Sequence, residues 1–210
     1  MKNVYIIVGH PSQDSFSHKL ANEYENKLKQ LNINVRRDNL NELNFDPILR
    51  SKDHKLEQCL IDAQENIKWA NEIIFFYPLW WGNIPALLKG FIDRVFLPNF
   101  AYRYHQNDPF WDKLLKGKTA KIFSTCDAPQ FYNSLFLGNP DFKFMKKCLL
   151  NFCGIKVKSM KRIDSLYKKS DAKRKLIINN IVNKIKLLIL NQIYNLFVKI
   201  QLNYIEKLIT

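Results

Sequence analysis

Residues Phe75 to Phe96 read FFYPLWWGNIPALLKGFIDRVF. The segment begins as the end of an apolar strand, passes through an aromatic turn and becomes a helix. Pro85 fits the first helical position, where its missing N–H is no loss. Trp80 and Trp81 stand side by side where a short strand-to-helix loop is ordinarily polar. Two large rings at the carboxyl end of a strand suit the wall of a slot for a flat ligand, because open α/β sheets bind ligands just outside those strand ends. The same pair also suits a plug of core between sheet and helix, and spacing alone does not choose between them.

The chain on either side alternates in the same way. Val4 to Gly9 (VYIIVG) is a continuous β-rich run, suited to a central parallel strand buried on both faces. The polar loop HPSQDSFS follows. Then Phe16, Leu20, Tyr24, Leu28 and Leu31 recur at helical spacing. Such a loop, between strand and helix, is where free N–H groups at the helix start can hold a phosphate. Ser15 and Ser17 can add hydroxyl donors there or simply cap the helix. His10, at the strand tip, can donate to an anion or stand as an ordinary loop histidine. The chain has no G-x-G-x-x-G and no G-x-x-x-x-G-K-[ST], so dinucleotide-fingerprint and P-loop readings lose support.

Asn34 to Asn39 is short and polar and reads as an outer strand. Leu56, Leu60, Ala63, Ile67 and Ala70 mark a second helix, and Glu72 to Pro78 a third strand. Lys118 to Cys126 is the fourth strand. Pro140 to Cys153 is a helix with Gly154 as its C-cap, and Lys156 to Ile163 is the fifth strand. From Asp171 a long helix carries Ile178, Ile181, Val182 and Ile185 on one face and runs on to Ile209. Strands alternating with helices predict a doubly wound α/β fold with a five-stranded parallel sheet.

The 210 residues suffice for one domain with a sizeable core. Net charge is +14, and residues 155–186 hold eleven Lys/Arg against two Asp. So local a basic excess suits an anionic partner or an acidic membrane; it equally suits a solvated lysine-rich surface, the reading preferred here, with no nucleic acid expected. Cys59, Cys126, Cys148 and Cys153 form no CxxC pair and have no His at metal-ligand spacing, so no metal is expected. Free thiols and a start that runs straight into a strand imply a cytoplasmic protein. The apolar stretch Leu187 to Val198 is too short and too polar to span a bilayer.

The run P-L-W-W-x-x-I-P-A-L-L-K-G-F-I-D-R-V-F, from Pro78, resembles the flavin-side loop and following helix of the NAD(P)H:quinone oxidoreductases, a flavodoxin-like family. Further stretches resemble the same family in the same order, covering about residues 1 to 165: G-H-P-x-x-x-S-F-S from Gly9, NLNELNFDPIL from Asn39, F-A-Y-x-Y from Phe100, STCDAPQFY from Ser124 and NFCGIKV from Asn151. The resemblance implies the sheet order 2-1-3-4-5. It also implies a flavin-binding domain over residues 1–186. Residues 187–210 lie beyond the resemblance; their apolar content reads as a C-terminal helical extension, in the same domain or packed on a partner subunit, with a membrane surface as the less favoured alternative. The resemblance places the phosphate portion of FMN or FAD on His10, Phe16 and Ser17, to which the loop's own hydroxyl pattern adds Ser15. The flavin ring falls on Pro78, Leu79, Trp80, Trp81, Gly82 and Asn83 and on Ser124, Thr125, Cys126, Asp127 and Tyr132. Tyr102 and Tyr104 would close over the substrate from across a homodimer.

The implied activity passes hydride from NAD(P)H to the flavin and on to a quinone-like acceptor in ping-pong order, with Tyr132 stabilising charge. Three positions depart from the family pattern. Cys126 and Asp127 stand where the third loop has two glycines, Gly82 replaces a bulkier residue, and the position of a histidine partner to the tyrosine falls at about Gly138. Two alternative roles are a regulatory flavoprotein subunit of a membrane transporter and a flavodoxin-type electron carrier. Lys89, Asp93 and Arg94 are read as solvent or interface charges.

Overall fold

A computed structural model describes residues 2–51 and 55–185. The expected extension over 187–210 lies outside the described residues. Five strands make one parallel sheet: β1 (Asn3–Val8), β2 (Asn34–Asn39), β3 (Glu72–Pro78), β6 (Thr119–Thr125) and β7 (Lys156–Ile163). They lie in the order β2-β1-β3-β6-β7, which is 2-1-3-4-5 when only this sheet is counted. The two remaining strands, β4 (Tyr102–Tyr104) and β5 (Trp111–Lys113), pair antiparallel as a separate hairpin. Their three-residue length gives too little alternation to be read from sequence.

Side-chain alternation along the central strands divides the core into two layers. Tyr5, Ile7, Ile73, Phe75 and Tyr77 point to α2 (Gln58–Trp69), to α3 (Ala86–Val95) and to the helical segment from Pro140. Val4, Ile6, Val8, Ile74 and Phe76 point to α1 (Phe16–Gln30) and to Ile178, Ile181 and Ile185 of the helix over 171–185. All seven residues of β3 are buried, as a strand covered on both faces requires.

The segment Pro140 to Cys153 is not one regular helix. It runs as α4 (Pro140–Lys143), a π-helical stretch Phe144–Leu150 and α5 (Asn151–Cys153), and Gly154 ends it in the left-handed conformation. Among the described residues no helix is long and apolar enough to cross a membrane.

Two sequence expectations are corrected here. Pro85 is the N-cap of α3 and not its first helical residue. Its ψ of 151° is extended, and its carbonyl accepts from the Lys89 N–H at 2.9 Å. Arg94 is fully buried rather than a surface charge. Its Nη2 donates to Glu57 Oε2 at 2.6 Å and its Nη1 to the Asp46 carbonyl, which pins the connector between β2 and α2 to α3. Lys89 and Asp93 are solvent-facing, as expected, and pair with each other at 2.7 Å.

Candidate functional site

The loops that leave β1, β3 and β6 meet at one edge of the sheet and enclose a cleft of about 210 Å³. The first loop contributes His10, Ser15 and Phe16, the second Pro78, Leu79 and Trp80, and the third Thr125, Cys126 and Asp127. Leu166, in the 3-10 turn after β7, completes the wall. Sequence reasoning missed it, because an isolated leucine in a lysine-rich run carries no positional signal.

The first loop offers donors. The Ser15 side chain accepts the His18 N–H at 3.2 Å and caps α1. Among the described residues nothing accepts from the N–H groups of Phe16 and Ser17. Two donors and the positive end of a fifteen-residue helix therefore face the cleft edge. His10 Nδ1 accepts the Ser12 N–H at 3.0 Å, which leaves Nε2 as its protonated nitrogen. Burial, and then the neighbouring His18, hold His10 below the ordinary histidine range, so it is a neutral donor. Ser17 is buried with its hydroxyl 3.4 Å from Thr125 Oγ1, so it ties the first loop to the third.

The second loop is a two-residue reversal. Trp80 and Asn83 exchange both backbone bonds at 2.9 Å, around Trp81 and Gly82 at φ 51° and 74°. Positive φ at both central positions is the pattern of a type I′ turn. The turn parts the two indoles. Trp80 stays in the cleft with its ring edge-on to His10, centroids 5.8 Å apart, whereas Trp81 is fully exposed. Asn83 uses its side-chain oxygen on the Ile84 N–H at 2.8 Å.

The third loop is anchored from behind. Cys126 N–H donates to the Ile163 carbonyl at 2.9 Å, and Leu79 N–H donates to the Thr125 carbonyl at 2.7 Å. Asp127 Oδ1 accepts the Tyr167 N–H at 3.1 Å, which turns that oxygen toward the segment after β7. Burial pushes the Cys126 thiol above its ordinary range, and it donates to the Ala128 carbonyl at 3.1 Å. Ser124 is completely buried below the cleft, where its Oγ accepts from Arg162 Nη1 at 2.6 Å. Arg162 and Asp141 form a buried ion pair at 2.6 Å, and the Tyr77 hydroxyl donates to Asp141 at 3.1 Å. Sequence gave no signal for this network, because Arg162 sits among exposed lysines of β7.

Three expected residues lie elsewhere in the single chain. Tyr132 opens the short π-helical segment Tyr132–Phe136 after the third loop, half exposed and stacked on Phe136 with centroids 5.6 Å apart. Tyr102 and Tyr104 line a separate groove of about 790 Å³ with Phe96, Phe144, Cys148 and Phe152. That groove is the larger cavity, yet the smaller cleft sits at the carboxyl ends of the strands, where open α/β sheets place their ligands.

A crevice at the switch between two halves of a doubly wound sheet defines the class. The family model for the flavodoxin-like fold matches residues 2–185, and the chain belongs to that family. It is 30% identical over 187 residues to a protein of Haemophilus influenzae described as an uncharacterized NAD(P)H oxidoreductase, covering 84% of this chain and 90% of that one. It is 27% identical to the human ribosyldihydronicotinamide dehydrogenase [quinone], covering 74% of this chain and 78% of that one. Among solved structures, Smu.1420 from Streptococcus mutans UA159 superposes with a TM-score of 0.75 at 30% identity, covering 86% of this chain and 97% of that one.

Proposed function

We propose that this chain is a flavin-dependent NAD(P)H oxidoreductase that binds FMN or FAD in the three-loop cleft and reduces a quinone-type acceptor. The observation that carries the reading is the meeting, in one cleft, of an open helix start and an indole wall. The N–H groups of Phe16 and Ser17, with Nε2 of His10, suit the phosphate end of the cofactor. Trp80, Pro78 and Leu79 give an apolar face for its rings on one side, and Thr125, Cys126 and Asp127 line the other. A flavin held there would supply the hydride-transfer chemistry between NAD(P)H and the acceptor, in the proposed ping-pong order.

The chain's own residues bind, orient and exclude water. Trp80 and His10 form one continuous wall. Tyr132 is the residue offered for charge stabilisation on the acceptor side. Tyr102 and Tyr104 belong to a groove apart from the cleft of the same chain. Their part in the reading is to close the substrate side from a second copy, so that the working unit is a homodimer. The relatives' names, an NAD(P)H oxidoreductase and a quinone dehydrogenase, support the same activity.

The test is the absorption spectrum of the purified protein, with release and identification of the bound coenzyme, followed by NADH and NADPH oxidation with a soluble quinone. A yellow protein that oxidises a reduced nicotinamide only when an acceptor is present is expected. A colourless protein that takes up neither FMN nor FAD overturns the reading.

A further inference from the structure

Ser15 lines the cleft, but its one hydroxyl hydrogen is already committed. Ser15 and His18 meet twice: Ser15 Oγ accepts the His18 backbone N–H at 3.2 Å and lies 2.9 Å from His18 Nδ1. The other ring nitrogen, Nε2, lies 3.2 Å from Asn41 Oδ1, an atom that only accepts. In the neutral ring the proton is therefore on Nε2, and Nδ1 is a bare acceptor. Ser15 donates its hydrogen to Nδ1 and has none left for a ligand.

His18 is buried, at 4% exposure. The charged and titratable groups around it are His10 from the first loop, with ring centroids 6.3 Å apart, Arg37 from β2, and Glu42 from the 3-10 turn Leu40–Glu42. Burial, and then Arg37, lower its pKa from the ordinary histidine value, while Asn41 and Glu42 favour the charged form.

We propose that capture of a flavin phosphate at the start of α1 is coupled to uptake of one proton by His18, which reverses the Ser15–His18 hydrogen bond and frees the Ser15 hydroxyl to donate to the anion. The proton comes from solvent and enters at Nδ1, Nδ1–H then donates to Ser15 Oγ, and the hydroxyl turns to the phosphate. The imidazolium adds one positive charge beside the helix start. His18 is thus a positioning residue, acting through Ser15. The inference rests on the flavin reading above.

The sign follows from linkage. The empty site holds His18 neutral and the occupied site holds it charged, so affinity rises as pH falls between the two pKa values, by at most about tenfold per pH unit. The experiment measures dissociation constants of FMN and FAD from about pH 5.5 to about pH 8. Riboflavin serves as the phosphate-free control. Proton uptake comes from calorimetry in two buffers of different ionisation enthalpy.

Wild type is expected to take up about one proton more per FMN or FAD than His18→Gln, and riboflavin to show no such difference. Asn41→Asp sets a carboxylate against Nε2, keeps His18 charged, and flattens the pH profile. Flavin binding with the same proton count in wild type and His18→Gln overturns the coupling alone. Should His18→Gln fail to fold, an Asn41→Asp profile as steep as wild type overturns it. Absence of any flavin binding to wild type overturns both the coupling and the reading beneath it.

Discussion

Trp81 holds a backbone conformation that an L-residue adopts at a cost, at φ 51°, with its ring fully in solvent. The left-handed region costs a non-glycine residue roughly 1–2 kcal/mol. The exposed indole regains little of that by burial within one chain. Trp81→Gly is therefore expected to stabilise the protein by about 1 kcal/mol, read as a higher urea midpoint at unchanged slope. If the indole serves the acceptor, the same variant raises KM for the quinone and leaves flavin affinity unchanged. Trp80, which keeps the cleft wall, is expected to behave in the opposite way on replacement by alanine.

The residue scale is also where sequence reading reached its limit. The Trp pair stood out because two rings at a strand tip are chemically out of place, while spacing alone left slot wall and core plug both open. That the two rings part company was not legible, because it depends on two successive φ angles. His18 was read only as part of a helix, since nothing in Ser15-Phe16-Ser17-His18 shows which ring nitrogen meets Asn41. Asp127 is explained by a partner forty residues away: the Tyr167 N–H occupies one carboxylate oxygen.

At the scale of elements, α3 packs on the connector before α2 so closely that Gly90 has no room for a side chain. A Cβ there would lie 2.4 Å from Pro47 Cβ and 2.6 Å from the Pro47 carbonyl oxygen. Gly90→Ala gains up to about 1 kcal/mol of helix propensity. It is nonetheless expected to destabilise, because backbone must move to relieve a contact that short, and chemical denaturation gives the net sign. The third loop makes a second case. Asp141→Asn leaves the buried Arg162 guanidinium without its counter-charge, and breaking a buried pair in this way costs about 3–5 kcal/mol. A loss of that size in the urea midpoint is expected, together with a loosened cleft, because Ser124 and Tyr77 share the network.

Strands and helices were legible where the pattern was long: β1 and β3 from unbroken apolar runs, α1 and α2 from helical spacing. The hairpin β4–β5 and the π-helical stretch were not. The first is too short for a period, and the second keeps the apolar spacing of a helix while changing its hydrogen bonds.

For the molecule as a whole, the empty chain is expected to lose stability as pH falls below about 6.5. Burial holds the folded-state pKa values of His10 and His18 below the ordinary value. Between the ordinary and the lowered values the unfolded chain binds more protons than the folded one, so stability decreases with falling pH. His105 works in the opposite sense, raised by hydrogen bonds to Asp108 and Asp112. It is exposed and screened, so His10 of the first loop and His18 of α1 decide the sign. Thermal melts from about pH 7 down to about pH 5 check this, and a His10→Gln, His18→Gln double variant is expected to show a flatter profile.

The loops that form the cleft stand on β1, β3 and β6, which are immediate neighbours in the sheet. Adjacent strands are about 4.8 Å apart, so roughly 10 Å separates the root of the first loop from that of the third. The gauge of the cradle is therefore fixed by the length of a peptide hydrogen bond. Substitutions along its rim can retune what the occupant touches, but its breadth changes only if a strand is added or lost.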